Sequence, residues 1–134
     1  MTILRSETLP LNTDEDLVRL RRAVRARMQE CGFSLIDQTK LVTAASELGR
    51  NALDYAGGGS ARLEILNEGV RTGLRLVVED SGPGIEDIER ALTDGYTTSR
   101  GLGLGLGGAR RLANEFDIRS APGAGTRVAA TRWK

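Results

Sequence analysis

Glu47, Asn51 and Asp54 are separated by four and three residues, the spacing that sets side chains on one stripe of a helix. A carboxylate and an amide one turn apart can do two jobs. The carboxylate can accept a proton from a hydroxyl or a water, and the amide oxygen can ligate a hard cation such as Mg²⁺. On this stretch alone, a solvated polar face is the simpler reading. Asp80 ends an apolar run and opens the turn Ser81-Gly82-Pro83-Gly84. A carboxylate at a strand end can accept a hydrogen bond from an exocyclic amine such as that of adenine. Aspartate and glycine are also ordinary turn residues. Gly82 and Gly84 would let backbone approach a flat ring with no Cβ in the way. The third feature is the run Gly101-Leu102-Gly103-Leu104-Gly105-Leu106-Gly107-Gly108. Glycine costs about 0.5–1 kcal/mol relative to alanine inside a helix or strand, so this run needs a purpose. Bare N–H groups brought close to an anion, phosphate above all, would supply one. No Lys-Ser/Thr pair closes the run, so it is not a P-loop. Gly103-x-Gly105-x-x-Gly108 matches a dinucleotide pattern only in its letters, because no strand leads directly into it and no βαβ unit surrounds it. A flexible linker would place serine between the glycines. The leucines instead predict a lid that packs when closed.

These residues need elements to hold them. Residues 2–9 partly alternate and predict an edge strand. Thr13-Asp14-Glu15-Asp16 reads as a helix start, and Leu17, Val18, Leu20, Ala23, Val24 and Met28 follow at helical spacing to a stop near Gly32. A second helix is predicted over 37–56, with an apolar face from Leu41, Ala44, Ala45, Leu48 and Ala52, stopped by Gly57-Gly58-Gly59. Strands are predicted over 61–68 and 74–79, joined by a turn at 69–73. A short helix over 85–92, a polar and then glycine-rich mobile loop over 93–106, a helix over 107–114 and strands over 116–120 and 126–133 complete the chain. The order suggests an α+β fold, a two-layer sandwich with helices on one face of a mixed, mostly antiparallel sheet.

The 134 residues suit one domain spanning 1–134. The net charge of +1, from 19 basic and 18 acidic residues, gives no electrostatic case for nucleic acid or an anionic membrane. Arg19, Arg21, Arg22, Arg25 and Arg27 fall in one helical stretch, read as a solvated face, with a contact face for an acidic protein as the alternative. The single cysteine, Cys31, rules out an internal disulfide, and the absence of histidine rules out His-ligated zinc, a Ser-His-Asp triad and a phospho-accepting histidine. Arg5, Glu7 and Asn12 interrupt any apolar leader, and no stretch is long enough to span a bilayer. A cytoplasmic protein is expected.

The combination is specific. Glu47-Leu48-Gly49-Arg50-Asn51-Ala52-Leu53-Asp54-Tyr55-Ala56 resembles the N box of the GHKL superfamily of ATPases and kinases, which includes DNA gyrase, heat-shock chaperones and histidine kinases. Asp80-Ser81-Gly82-Pro83-Gly84-Ile85 resembles its first glycine box. Gly101-Leu102-Gly103-Leu104-Gly105-Leu106 resembles its second. Gly123-Ala124-Gly125-Thr126 resembles the motif that closes the nucleotide pocket. Asp37-Gln38-Thr39-Lys40 and Asp94-Gly95-Tyr96-Thr97-Thr98-Ser99 extend the likeness to the small serine/threonine kinases that regulate sigma factors, the stressosome switch kinases among them.

That resemblance implies the Bergerat fold and the use of ATP with Mg²⁺. Glu47 would be the general base toward a substrate hydroxyl, and Asn51 would hold the Mg²⁺. Asp80 would bind the adenine amine with Thr126 beside it, while Gly82, Gly84 and Ile85 line the base pocket. Gly101, Leu102, Gly103, Leu104, Gly105 and Leu106 would cover the phosphates. The implied partners are STAS-domain antagonist or scaffold proteins, which the kinase would phosphorylate, and a PPM-type phosphatase that it would then activate. The alternative is an anti-sigma factor that sequesters a sigma factor and phosphorylates its antagonist. Many relatives carry a basic residue three positions after the metal-binding asparagine, where this chain has Asp54.

Overall fold

A computed structural model describes residues 1–85, 87–92 and 106–134. The order is β1 (Thr2–Leu11), α1 (Asp14–Glu30), α2 (Leu35–Ala56), β2 (Gly59–Glu68), β3 (Arg71–Asp80), α3 (Ile88–Ala91), α4 (Leu106–Leu112), β4 (Glu115–Ser120) and β5 (Thr126–Trp133). The strands form a five-stranded sheet in the order β1-β2-β3-β5-β4. All four pairings are antiparallel, so the parallel component expected of a mixed sheet does not occur among the described strands. The two-layer α+β sandwich expected from the element order is the fold observed.

Local chemistry sets the helix ends. Thr13 Oγ1 accepts the Asp16 N–H at 3.1 Å, while Asp16 Oδ2 accepts the N–H groups of Thr13 at 3.2 Å and Asn12 at 2.9 Å. This is a reciprocal capping box. Ser34 caps α2 by accepting the Asp37 N–H at 3.1 Å, so the helix begins two residues before the position that periodicity indicates. Gly57, at φ 73°, ends it in the left-handed region.

Between the layers lie Leu17, Leu20, Val24 and Met28 of α1, and Leu41, Ala44, Leu48 and Ala52 of α2. They pack on Leu63, Leu74, Leu76, Val78 and Ala130 of the sheet. Each fully buried large side chain contributes roughly 1.5–3 kcal/mol, which makes this layer the main source of stability. The opposite sheet face carries ion pairs, Glu64 with Arg75 at 2.6 Å and with Arg62 at 3.3 Å, and Glu79 with Arg127 at 3.5 Å. Three of the five arginines of α1 are paired within the protein: Arg19 with Asp16, Arg25 with Gln38 of α2, and Arg27 with Glu7 of β1 and with Glu30. No helix among the described residues is long and apolar enough to cross a membrane.

Candidate functional site

The C-terminal half of α2, the end of β3 and the start of β5 converge at one end of the sheet. Asp80 closes β3 and lies opposite Thr126, the first residue of β5, in the antiparallel register. Together they floor a cavity of 840 Å³ whose apolar walls include Leu48, Ala52, Val78, Ile85, Leu106 and Val128. That volume lies within the roughly 300–1,000 Å³ of small-molecule sites. Asn51 and Tyr55 line it from α2, Gly84 from the turn after β3, and Ser120 from the end of β4. The Asp80 carboxylate, facing the apolar side chains of Val78, Ile85 and Val128, suits a flat heteroaromatic ring that carries an amine.

Sequence reasoning missed Ser120. Its hydroxyl accepts the Ile85 N–H at 2.8 Å, donates to the Gly125 carbonyl at 2.8 Å and meets Thr126 Oγ1 at 2.9 Å. It thereby joins the turn after β3 to the turn before β5. The Gly123 N–H, donating to the Pro83 carbonyl at 2.7 Å, makes a second tie between them. Nothing in the spacing of Ser120 marks it, because its partners meet only when β4 and β5 pair.

The two turn glycines have a reason other than approach to a ring. A Cβ on Gly82 would lie 2.5 Å from Ala56 Cβ, and Gly82 is not among the cavity-lining residues. A Cβ on Gly84, whose φ is +79°, would lie 2.0 Å from the Ala121 carbonyl oxygen. Protein fills the space that the missing side chains leave. Gly82 also donates its N–H to Asp80 Oδ1 at 2.9 Å, fixing that carboxylate.

Leu106, expected at the end of the lid, instead heads α4 and is buried in the core at 3% exposure while also lining the cavity. Gly101, Leu102, Gly103, Leu104 and Gly105 lie outside the described residues. Glu47 is exposed and does not line the cavity. It stands one turn before Asn51 on the same helix. Asp54 faces Arg50 at 3.6 Å, and Arg50 reaches Asp14 at 3.0 Å. The hydrogen bond to Asp14, opposed by burial and then aided by the charges of Asp14 and Asp54, raises the Arg50 guanidinium above its ordinary pKa.

The donor set also bears on a metal. Among the described residues no group of three or more His, Cys, Asp or Glu is placed to hold an ion. Magnesium commonly takes one or two protein ligands and completes its shell with substrate phosphates and water. The Asn51 amide fits an ion held in that shared way and does not form a metal cage of its own.

Residues 36–133 match the family model described as histidine kinase-, DNA gyrase B- and HSP90-like ATPase. The serine/threonine-protein kinase RsbT of Bacillus subtilis is 43% identical over 121 residues, covering 90% of this chain and 91% of that protein. An anti-sigma F factor of Clostridium novyi is 28% identical, covering 93% of this chain and 90% of that one. Among solved structures, the RsbU and RsbW domains of a Mycobacterium tuberculosis protein superpose with a TM-score of 0.64 at 20% identity, over 97% of this chain and 33% of that chain. The nucleotide-free catalytic domain of the histidine kinase ThkA gives 0.52 at 19% identity, over 94% and 95% of the two chains. At such identities the structural likeness speaks to the fold alone.

Proposed function

This chain belongs to the family of histidine kinase-, DNA gyrase B- and HSP90-like ATPases, and on that premise we propose that it is an ATP-dependent serine/threonine-protein kinase of a partner-switching pathway. The observation that carries this reading is the cavity itself. It gathers Asn51, Asp80, Gly84, Ile85 and Thr126 around one apolar slot, in a chain 43% identical to RsbT over nearly its whole length. The bound nucleotide with its Mg²⁺ supplies the transferable phosphoryl group and neutralises charge on the phosphate oxygens. This chain's residues position and polarise. Asp80, held by the Gly82 N–H, accepts from the base amine. Val78, Ile85 and Val128 exclude water from the ring. Asn51, which lines the cavity from α2, would hold the metal. Glu47, one turn away and exposed, takes the proton from the attacking serine or threonine hydroxyl. The run 101–105 is assigned to the phosphates on its resemblance alone.

The substrates in this reading are STAS-domain antagonist or scaffold proteins in the cytoplasm. Release from them frees the kinase to activate a PPM-type phosphatase. The test is to incubate the protein with radiolabelled ATP, Mg²⁺ and the STAS-domain proteins encoded beside it. One of them acquires label on serine or threonine; no transfer to any of them defeats the reading. The likeness to anti-sigma F factor favours a second reading, an anti-sigma factor that also phosphorylates its antagonist. Stable capture of a sigma factor by the purified protein selects it.

A further inference from the structure

Where β3, β4 and β5 meet the cavity, its lining includes the Asp80 carboxylate and the Ser120 and Thr126 hydroxyls, and these three also border a smaller recess. The direction of every proton in this group can be worked out. A serine hydroxyl has one proton and two lone pairs. The Gly125 carbonyl, 2.8 Å from Ser120 Oγ, can only accept, so it takes the serine proton. The Ile85 N–H at 2.8 Å fills one lone pair. Thr126 Oγ1 at 2.9 Å is the remaining neighbour. Ser120 has no second proton, so Thr126 is the donor in that bond. Thr126 therefore spends its only proton inside the wall and turns lone pairs toward the cavity. Asp80, opposite it in register, is likewise acceptor-only as a carboxylate.

We propose that Ser120 is a specificity-determining, positioning residue. It fixes Thr126 as a hydrogen-bond acceptor, so that the cavity favours a base edge carrying an exocyclic amine and rejects one carrying a carbonyl at that place. This rests on the ATP reading above and adds a filter to the one Asp80 provides. If Ser120 were absent, the Thr126 hydroxyl could rotate and donate to a carbonyl.

ATP and ITP differ at this edge in an amine against a carbonyl, and in a bare ring nitrogen against a ring N–H beside it; their dissociation constants can be compared by isothermal titration. Ser120→Ala narrows the preference for ATP over ITP by about fivefold, the factor carried by one neutral hydrogen bond. Ser120→Thr keeps a hydroxyl and keeps the preference. Thr126→Val leaves the Ile85 and Gly125 bonds in place and gives the same narrowing, which covers the case in which Ser120→Ala does not fold. An unchanged preference in Thr126→Val overturns the proposal. So does an equal weakening of both nucleotides in Ser120→Ala, the mark of a purely structural role. Wild-type protein that binds neither nucleotide overturns the ATP reading itself, whereas tight wild-type binding of ATP with unchanged preference in the variants overturns only the role of Ser120.

Discussion

Replacing Gly84 by alanine separates two costs that usually come mixed. The first is conformational. Gly84 sits at φ +79°, and an L-residue there loses about 1–2 kcal/mol. The second is contact. A Cβ would stand 2.0 Å from the Ala121 carbonyl oxygen and 2.8 Å from its carbon, so one turn must move by about an ångström to restore van der Waals separation. The turns cannot move freely, because Gly123 to Pro83 and Ile85 to Ser120 are hydrogen-bonded across the gap at 2.7 and 2.8 Å. Losing one such bond costs about 1 kcal/mol, and more if a buried group stays unpaired. The expected total is about 3 kcal/mol, or roughly 10 °C in Tm for a chain of this length. Gly123 supplies the control. Its φ is +77°, yet an added Cβ meets nothing within 4 Å, so Gly123→Ala should carry the conformational cost alone, roughly 4 °C. Thermal unfolding of both variants, followed by circular dichroism, measures the difference. Equal losses would show that the close approach of Gly84 to Ala121 costs nothing and would refute the reasoning. Gly84→Ala should also weaken nucleotide binding below its Tm, because the displaced turn carries Ile85, whereas Gly123→Ala should not.

Glu47→Gln should retain nucleotide binding while phosphotransfer falls about 10²–10⁴-fold, the range for a general base; unchanged transfer in a labelled-ATP assay removes Glu47 from the chemistry. Asp80→Asn should weaken ATP more than GTP in a competition assay, since the amide can donate where the carboxylate only accepts, and a parallel loss for both argues against contact with the amine. The Asp16 carboxyl is held below its ordinary pKa of 3.8, chiefly by the Asn12 N–H and then, against partial desolvation, by Thr13 and Arg19. A depressed folded value stabilises the protein above the unfolded pKa, and that contribution disappears as pH falls through the folded one. Wild type should therefore lose stability faster than Asp16→Asn on acidification from pH 5 to 3; identical slopes in urea melts would contradict the linkage.

Local rules carried much of the fold, and long-range register carried what they could not. The capping box at Thr13 and the left-handed Gly57 act within a few residues, so composition alone reveals them. Gly73 shows the limit. It reads as a turn residue, yet it lies inside β3, where the Trp133 ring leaves no room for a Cβ: the nearest ring atom would be 2.7 Å away. The turn is correspondingly tight, with only Gly69 and Val70 between β2 and β3. Strand β1 runs on to Leu11 through Pro10, which an edge strand tolerates because one side of it has no ladder to donate to. The stripe of Glu47, Asn51 and Asp54 was legible from helical spacing, and Asp80 from its place at a strand end. The partners of Ser120 and Arg132 were not. Arg132 holds Asp37 at 2.8 Å across 95 positions of sequence and also donates to the Leu112 carbonyl at 3.0 Å, tying α2 to the end of α4. Only the assembled sheet brings such groups together.

The acid at position 54 raises an electrostatic question: in the proposed reading, a carboxylate one turn beyond the residue assigned to the metal and phosphates should repel the ligand. Its geometry answers this. Arg50 lies 3.6 Å from Asp54 and is itself drawn to Asp14 at 3.0 Å. Arg50 and Asp14 are largely exposed, and exposed pairs contribute little to folding, typically 0–1 kcal/mol. The arrangement is better understood as local charge cancellation than as a stabilising bridge. It leaves Glu47 as the acid of the stripe that faces solvent, while Asn51, about 6 Å further along the axis, lines the cavity. A base that activated water could sit inside the slot. A base that must meet a hydroxyl on another protein has to stand where that protein can arrive, and an exposed side chain one turn before the cavity-lining Asn51 meets that condition. The exposure of Glu47, which at first counts against a catalytic role, is what a protein substrate requires.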